Sequence, residues 1–183
     1  MAQNADNINV VRPKTAGAAY VGGNTASVPT SASETATGFE SLGWISEDGI
    51  TMTIDRTTEK LKGFGGDVAL VITSEHSVSF KFTPMELNEL TAKGMFGAGN
   101  VTASGGKVSA IKVNSDELDE FPMMLDLCGT NGRLVRVVVP CAKVSAIGEL
   151  AMKHNAAMAA EWTVEALPDA DGNKAYIYCA DAA

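Results

Sequence analysis

The run Val68-Ala69-Leu70-Val71-Ile72-Thr73-Ser74-Glu75-His76-Ser77-Val78-Ser79-Phe80-Lys81-Phe82 decides the fold. Val68, Leu70, Ile72, Val78, Phe80 and Phe82 all occupy even positions, and Ser74-Glu75-His76 between them leaves that phase unbroken. A period of two marks a strand with one face buried. A two-residue hairpin inside the run would pair residues of opposite parity, and the run has no Gly, Pro or Asn to make the turn. It therefore reads as one strand of about fifteen residues, about 50 Å at 3.3 Å each, where ordinary strands have about five or six. A strand that long overhangs a compact domain. Its edges need partners that other subunits would supply.

Upstream, Ile50-Thr51-Met52-Thr53-Ile54-Asp55 alternates in the same way after the turn residues Asp48-Gly49, and residues 60–67, with Gly63, Gly65 and Gly66, read as a loop. Downstream, Thr83-Pro84-Met85-Glu86 carries the signature of a helix start. Thr83 would cap, Pro84 would take the first helical position, Leu87 and Leu90 would form the buried face, and Gly94 would end the helix. Strands resume at 107–113, then at 121–128 and 133–139 around Gly129-Thr130-Asn131-Gly132, and at 144–147. Met158, Ala160, Trp162, Val164 and Ala166 alternate with Glu161, Thr163 and Glu165, and residues 168–173 turn the chain into a last strand at 174–179. The expected fold is mainly β: an antiparallel β-sandwich or barrel with one packed α-helix.

With 183 residues, 45% of them hydrophobic, the chain can form one domain with a real core. It has no apolar run near the roughly 20 residues of a membrane helix, so no membrane insertion is expected. Its start, Met1-Ala2-Gln3-Asn4-Ala5-Asp6, lacks the basic and apolar regions of a signal peptide, so folding in a cytoplasm is expected. Residues 1–38 are mostly Ala, Ser, Thr, Gly and Asn and bury too little to order themselves alone. They read as a flexible N-terminal arm for contact with a neighbour, ahead of a β domain at 39–183. Cys128, Cys141 and Cys179 are odd in number and lack metal-ligand spacing, so they read as buried reduced thiols.

The formal charge of −8 is 14 basic minus 22 acidic residues. In the first 38 residues Asp6 and Glu34 cancel Arg12 and Lys14, so the excess lies in the body. An acidic surface repels phosphate, which argues against nucleic-acid binding by counterion release. His76 and His154 have no Cys or carboxylate at ligand or triad spacing. Asp169-Ala170-Asp171-Gly172-Asn173 lacks the closing glutamate of a calcium loop, and the glycines at 63–66 and 94–99 do not open helices. The acids at 116–120 sit together in an exposed turn. The chain is expected to be no enzyme and to need no cofactor or metal.

Three pieces between Gly17 and Gly97 resemble the major tail protein, or tail tube protein, of siphophages. They are Tyr20-Val21 followed by Val28-Pro29-Thr30; Leu42-Gly43-Trp44-Ile45-Ser46-Glu47-Asp48-Gly49-Ile50; and Val78-Ser79-Phe80-Lys81-Phe82 leading into Glu86, Leu87, Asn88 and Gly97. The resemblance implies a phage tail-tube-like fold, with six subunits in a ring and their long strands closing one barrel around a lumen. Rings would stack into a hollow tube in the virion tail, and DNA would pass through without specific binding. It implies an inter-subunit barrel strand carrying Val68, Leu70, Ile72, Val78, Phe80 and Phe82, and an inter-ring loop at 57–67 with Glu59, Lys60, Gly63, Phe64 and Gly65. Partners would be copies of the chain, a tape-measure protein, and tail terminator or distal tail proteins. Glu75 and Asp126, on polar faces of expected strands, are the candidates to face the lumen. The alternatives are another tail ring protein, such as a tube terminator or baseplate component, or a virion decoration or host-binding β-module.

Overall fold

The computed structural model of the protein describes Gln3 and residues 8–181. Its strands are β1 (Val11–Pro13), β2 (Ala19–Ser27), β3 (Thr37–Ser41), β4 (Thr51–Lys62), β5 (Val68–Phe82), β6 (Val101–Ser104), β7 (Lys107–Ile111), β8 (Glu120–Gly129), β9 (Leu134–Ile147), β10 (Trp162–Leu167) and β11 (Tyr176–Ala180). One α-helix, α1 (Glu89–Phe96), lies among the described residues. The mainly β fold expected from the periodicity is the fold observed.

The main sheet is antiparallel, in the order β3-β2-β8-β9-β10-β5-β4, with β1 also on β8 and β11 also on β9. The β8–β9 hairpin is its spine. One edge of β9 is shared: residues 134–138 pair with β11, and residues 141–147 pair with β10. Pro140 lies in the register shift of the β8–β9 ladder, between the Met123↔Val139 and Phe121↔Ala142 pairs. A bulge there tolerates a residue with no N–H to donate. Residues 144–147, expected as a separate strand, are the continuation of β9 through that bulge.

The core gathers Phe80, Phe82, Met123, Val139, Trp162, Val164 and Leu42, all nearly inaccessible. The rings of Phe82 and Trp162 lie 5.8 Å apart. Helix α1 covers them with Thr91, Ala92 and Met95. It begins later than expected, at Glu89, capped by Asn88, whose side chain accepts from the Thr91 N–H while the Thr91 hydroxyl accepts from the Asn88 N–H. Residues 83–86 do not start a helix because they pair with 44–46. The Ser46 N–H donates to the Thr83 carbonyl, the Met85 N–H to the Trp44 carbonyl, and the Trp44 N–H to the Glu86 carboxylate at 3.0 Å. The Thr83 capping pattern is thus spent on a chain crossing.

Gly94 does not end the helix, which runs on to Phe96 before Gly97. It lies inside α1, where a Cβ would strike the indole of Trp162. Gly94→Val is therefore expected to destabilise the fold by about 1–3 kcal/mol through overpacking, read as a lower denaturant midpoint with unchanged slope.

Residues 1–38 are not uniformly an arm. Ala18 and Ala19 are buried, Ala19 within the core cluster, and β2 runs between β3 and β8. Small residues bury little surface, but here backbone pairing to β8 orders them, so the boundary at Phe39 falls inside β3. Residues 1, 2 and 4–7 of that stretch lie outside the described residues. The thiols also differ from expectation: Cys128 and Cys141 are half-buried and Cys179 is exposed.

Candidate functional site

The expected strand from Val68 to Phe82 is unbroken, fifteen residues long, and pairs along its length with the twelve-residue β4. Only residues 79–82 have a second neighbour, β10. From Asp55 to His76 every residue of the hairpin is exposed, so a two-stranded ribbon stands clear of the body. Its exposed apolar side chains include Leu61, Phe64, Val68, Leu70, Val71 and Ile72. The outer edge of β4 has no strand partner among the described residues. A two-stranded ribbon is marginal alone in water, and an open edge invites another chain.

The register shows which side chains share a face, because cross-strand partners lie on the same side. β4 has no inserted residue, so its alternation is unbroken, whereas β5 carries two register shifts, at Ser74 and at Ala69. The Ser74 hydroxyl donates to the carbonyl of Thr57 across the first shift. Val78 and Phe80 therefore share the core-side face with Met52 and Ile54, whereas Leu70 and Ile72 lie on the outer face with Leu61 and Glu59. The second shift returns Val68 to the core side, opposite Lys62. The six even-numbered residues do not share one face, as the parity predicted. An inserted residue turns the pleat over without altering the sequence period.

Glu59 and Lys60, expected in a loop, are strand residues opposite Ile72 and Val71. The tip is Gly63-Phe64-Gly65-Gly66-Asp67, closed by the Gly63 N–H on the Asp67 carbonyl at 2.8 Å, with Phe64 fully exposed.

Short of Leu61, Leu70 and Ile72 near the tip, the outer face of β4, β5 and β10 is a polar wall. It presents Thr51, Thr53, Asp55 and Thr57, then Glu75, Ser77, Ser79 and Lys81, then Thr163 and Glu165. On β9 it continues to Lys143, whose ammonium is 3.3 Å from Glu117, and on β8 to Glu120. Glu75 is on this wall. Asp55 and Glu165 join it. Their odd-numbered positions in alternating runs were the signal for them, and only the register shows that they share the face of Glu75.

Asp126 is not on it. It is 6% exposed and directly opposite Arg136 on β9, which donates to it from Nε at 2.6 Å and from Nη2 at 2.8 Å, while Lys14 lies 3.1 Å away. Arg136 Nη1 donates to the carbonyls of Glu34, at 2.5 Å, and Ser31, at 3.2 Å. Burial alone would raise the Asp126 pKa, but the hydrogen bonds and charges of Arg136 and Lys14 outweigh it and hold the carboxyl below its ordinary value. An acid on a strand is free to face a lumen only if its cross-strand partner leaves it free.

His76 is exposed opposite Arg56, and His154 lies in an exposed loop. No cluster of three or more His, Cys, Asp or Glu suited to a metal occurs among the described residues.

Residues 1–183 match the family described as phage tail tube protein. No curated protein matches the chain. Among solved structures it is similar to the anti-feeding prophage cap (AFP tube terminating cap), seen by cryo-EM, at 14% identity and a TM-score of 0.43, with 98% of this chain and 100% of that one covered.

Proposed function

Because this chain belongs to the phage tail tube protein family and is a structural component of a virion tail, we propose that it is the major tube subunit of a siphophage. Copies form hexameric rings, and the rings stack into the conduit through which DNA leaves the particle. The observation that carries this reading is the β4–β5 ribbon, fifteen residues long in β5, exposed on both faces and open along β4. Joining such ribbons edge to edge around a ring satisfies each open backbone edge and closes a barrel, which leaves no edge at all. Head-to-tail contact makes the ring, and open-ended stacking makes a filament.

In this arrangement the polar wall lines the lumen. Its acids, Asp55, Glu75, Glu165 and Glu120, outnumber Lys81 and Lys143, so the phosphates of passing DNA are repelled. The tip at Gly63-Phe64-Gly65 reaches the next ring, together with Ile8 and Val10, which are both largely exposed. A tape-measure protein occupies the lumen during assembly in the host cytoplasm, and terminator and distal tail proteins close the ends.

Negative-stain imaging of concentrated protein tests the reading. Rings or tubes with a channel roughly 40 Å wide are expected, since duplex DNA is about 20 Å across and barrel diameter grows with strand number. Persistent monomers would count against it, and a single ring per particle would make the chain a terminator instead. Converting Asp55, Glu75 and Glu165 together to Lys is expected to leave tubes intact but make them retain duplex DNA, with an affinity that falls steeply with salt. Equal retention by unmodified tubes would contradict a repelling lumen.

A further inference from the structure

The ribbon separates its charges by face. β4 alternation puts Arg56, Lys60 and Lys62 on the core-side face, opposite His76, Val71 and Val68, and no acid shares that face of the ribbon. The other face holds Asp55, Glu59 and Glu75, and no Lys or Arg between positions 55 and 75. Among the described residues none of Arg56, Lys60 and Lys62 forms an ion pair.

Across the whole hairpin, 51–82, Asp55, Glu59, Asp67 and Glu75 cancel Arg56, Lys60, Lys62 and Lys81, so the chain's entire charge of −8 rests on the body. A wholly basic face on an otherwise acidic molecule is complementary to the molecule itself. It is also apolar enough, through Val68 and Val71, to gain from being covered.

The sheet order supplies the matching surface. β4 ends one side of the main sheet; on the other side β2 and β1 pair only with residues 123–125 and 127–129 of β8, so among the described residues the start of β8, where Glu117-Leu118-Asp119 leads into Glu120, has no strand beside it on that flank. Glu117 and Asp119 are exposed, and of the two only Glu117 meets a cation, Lys143 at 3.3 Å. Asp116 is taken up by Asn100 and Asn114. A head-to-tail ring brings one flank of each copy to the opposite flank of the next.

We propose that the basic core-side face of the ribbon, Arg56, Lys60 and Lys62, docks on the acidic flank of a second copy at Glu117 and Asp119. This rests on the tube reading. The contact fixes which flank meets which, since like-charged flanks repel and only the head-to-tail order pairs opposite charges.

Charge exchange tests it. K60E/K62E and E117K/D119K are each expected to raise the concentration needed for assembly by about tenfold or more, and the chain carrying all four changes to assemble within about threefold of the original. All four side chains are exposed, so unchanged thermal unfolding of each monomer confirms that only the contact was altered. Normal assembly of K60E/K62E would overturn the proposal and leave the tube reading standing. Failure of the four-change chain to recover would also overturn it, and so would K60E/K62E losing only an affinity for duplex DNA. If the unmodified chain never assembled, the tube reading itself would fall, and this contact with it.

Discussion

Replacing residues 57–75 by Asn-Gly, so that Arg56 and His76 face each other across a two-residue turn, is expected to give a folded monomer that never polymerises. Asn-Gly suits the tight turn that joins two paired strands. None of the removed residues belongs to the core cluster, whose hairpin members are Met52, Val78, Phe80 and Phe82. All of them are exposed, and their ladder is only to each other. The melting temperature should therefore shift by only a few degrees. Loss of assembly should be complete, because the outer half of the open edge, the tip, and Lys60 and Lys62 of the basic face go together. Light scattering at increasing concentration measures this. A shortened chain that still formed tubes would remove the ribbon from the mechanism.

The second large effect concerns stability. Arg136→Ala leaves Asp126 charged and buried with only Lys14 beside it, and it frees the carbonyls of Ser31 and Glu34 that hold residues 31–34 against β9. Breaking a buried pair from one side costs about 3–5 kcal/mol, or roughly 10 °C in Tm for a chain of this size. The pH dependence has a definite sign. The folded-state pKa of Asp126 lies below its ordinary 3.8, so the pair's contribution is complete above that value and is lost as the pH falls through the lower folded one. Arg136→Ala should therefore flatten the acid limb of the stability curve. Thermal melts between about pH 2 and 7 follow both effects, and a variant that kept the steep acid limb would show that other carboxylates set it.

Much of this was legible in the chain. The ends of β5 follow from uninterrupted alternation between the glycines at 63–66 and Pro84, and period two survives in sequence whatever the register does. What the period cannot carry is an inserted residue. The shifts at Ser74 and Ala69 occur in β5 alone, and only β4 beside them reveals that Leu70 and Ile72 have changed face. Asp126 shows the same limit. Its position on an alternating strand was clear, but Arg136 stands opposite only because of the β8–β9 register, set by the Thr130–Gly132 turn. Thr83-Pro84-Met85-Glu86 has every local mark of a helix start, yet tertiary pairing to 44–46 takes its backbone and its carboxylate first. Ala18 and Ala19 look like arm residues by composition and are core residues because backbone hydrogen bonding to β8 holds them there. Local signals named the elements. Long-range pairing decided which residues were free to act between subunits.

Hydrogen exchange along β4 at low and high protein concentration tests edge-to-edge assembly most directly. Amides of Thr51–Lys62 that do not pair with β5 should exchange rapidly in the monomer and become strongly protected once rings form, while the core amides of β8 and β9 change little. Assembled particles in which those β4 amides exchange as fast as in the monomer would show that the open edge is not where copies meet.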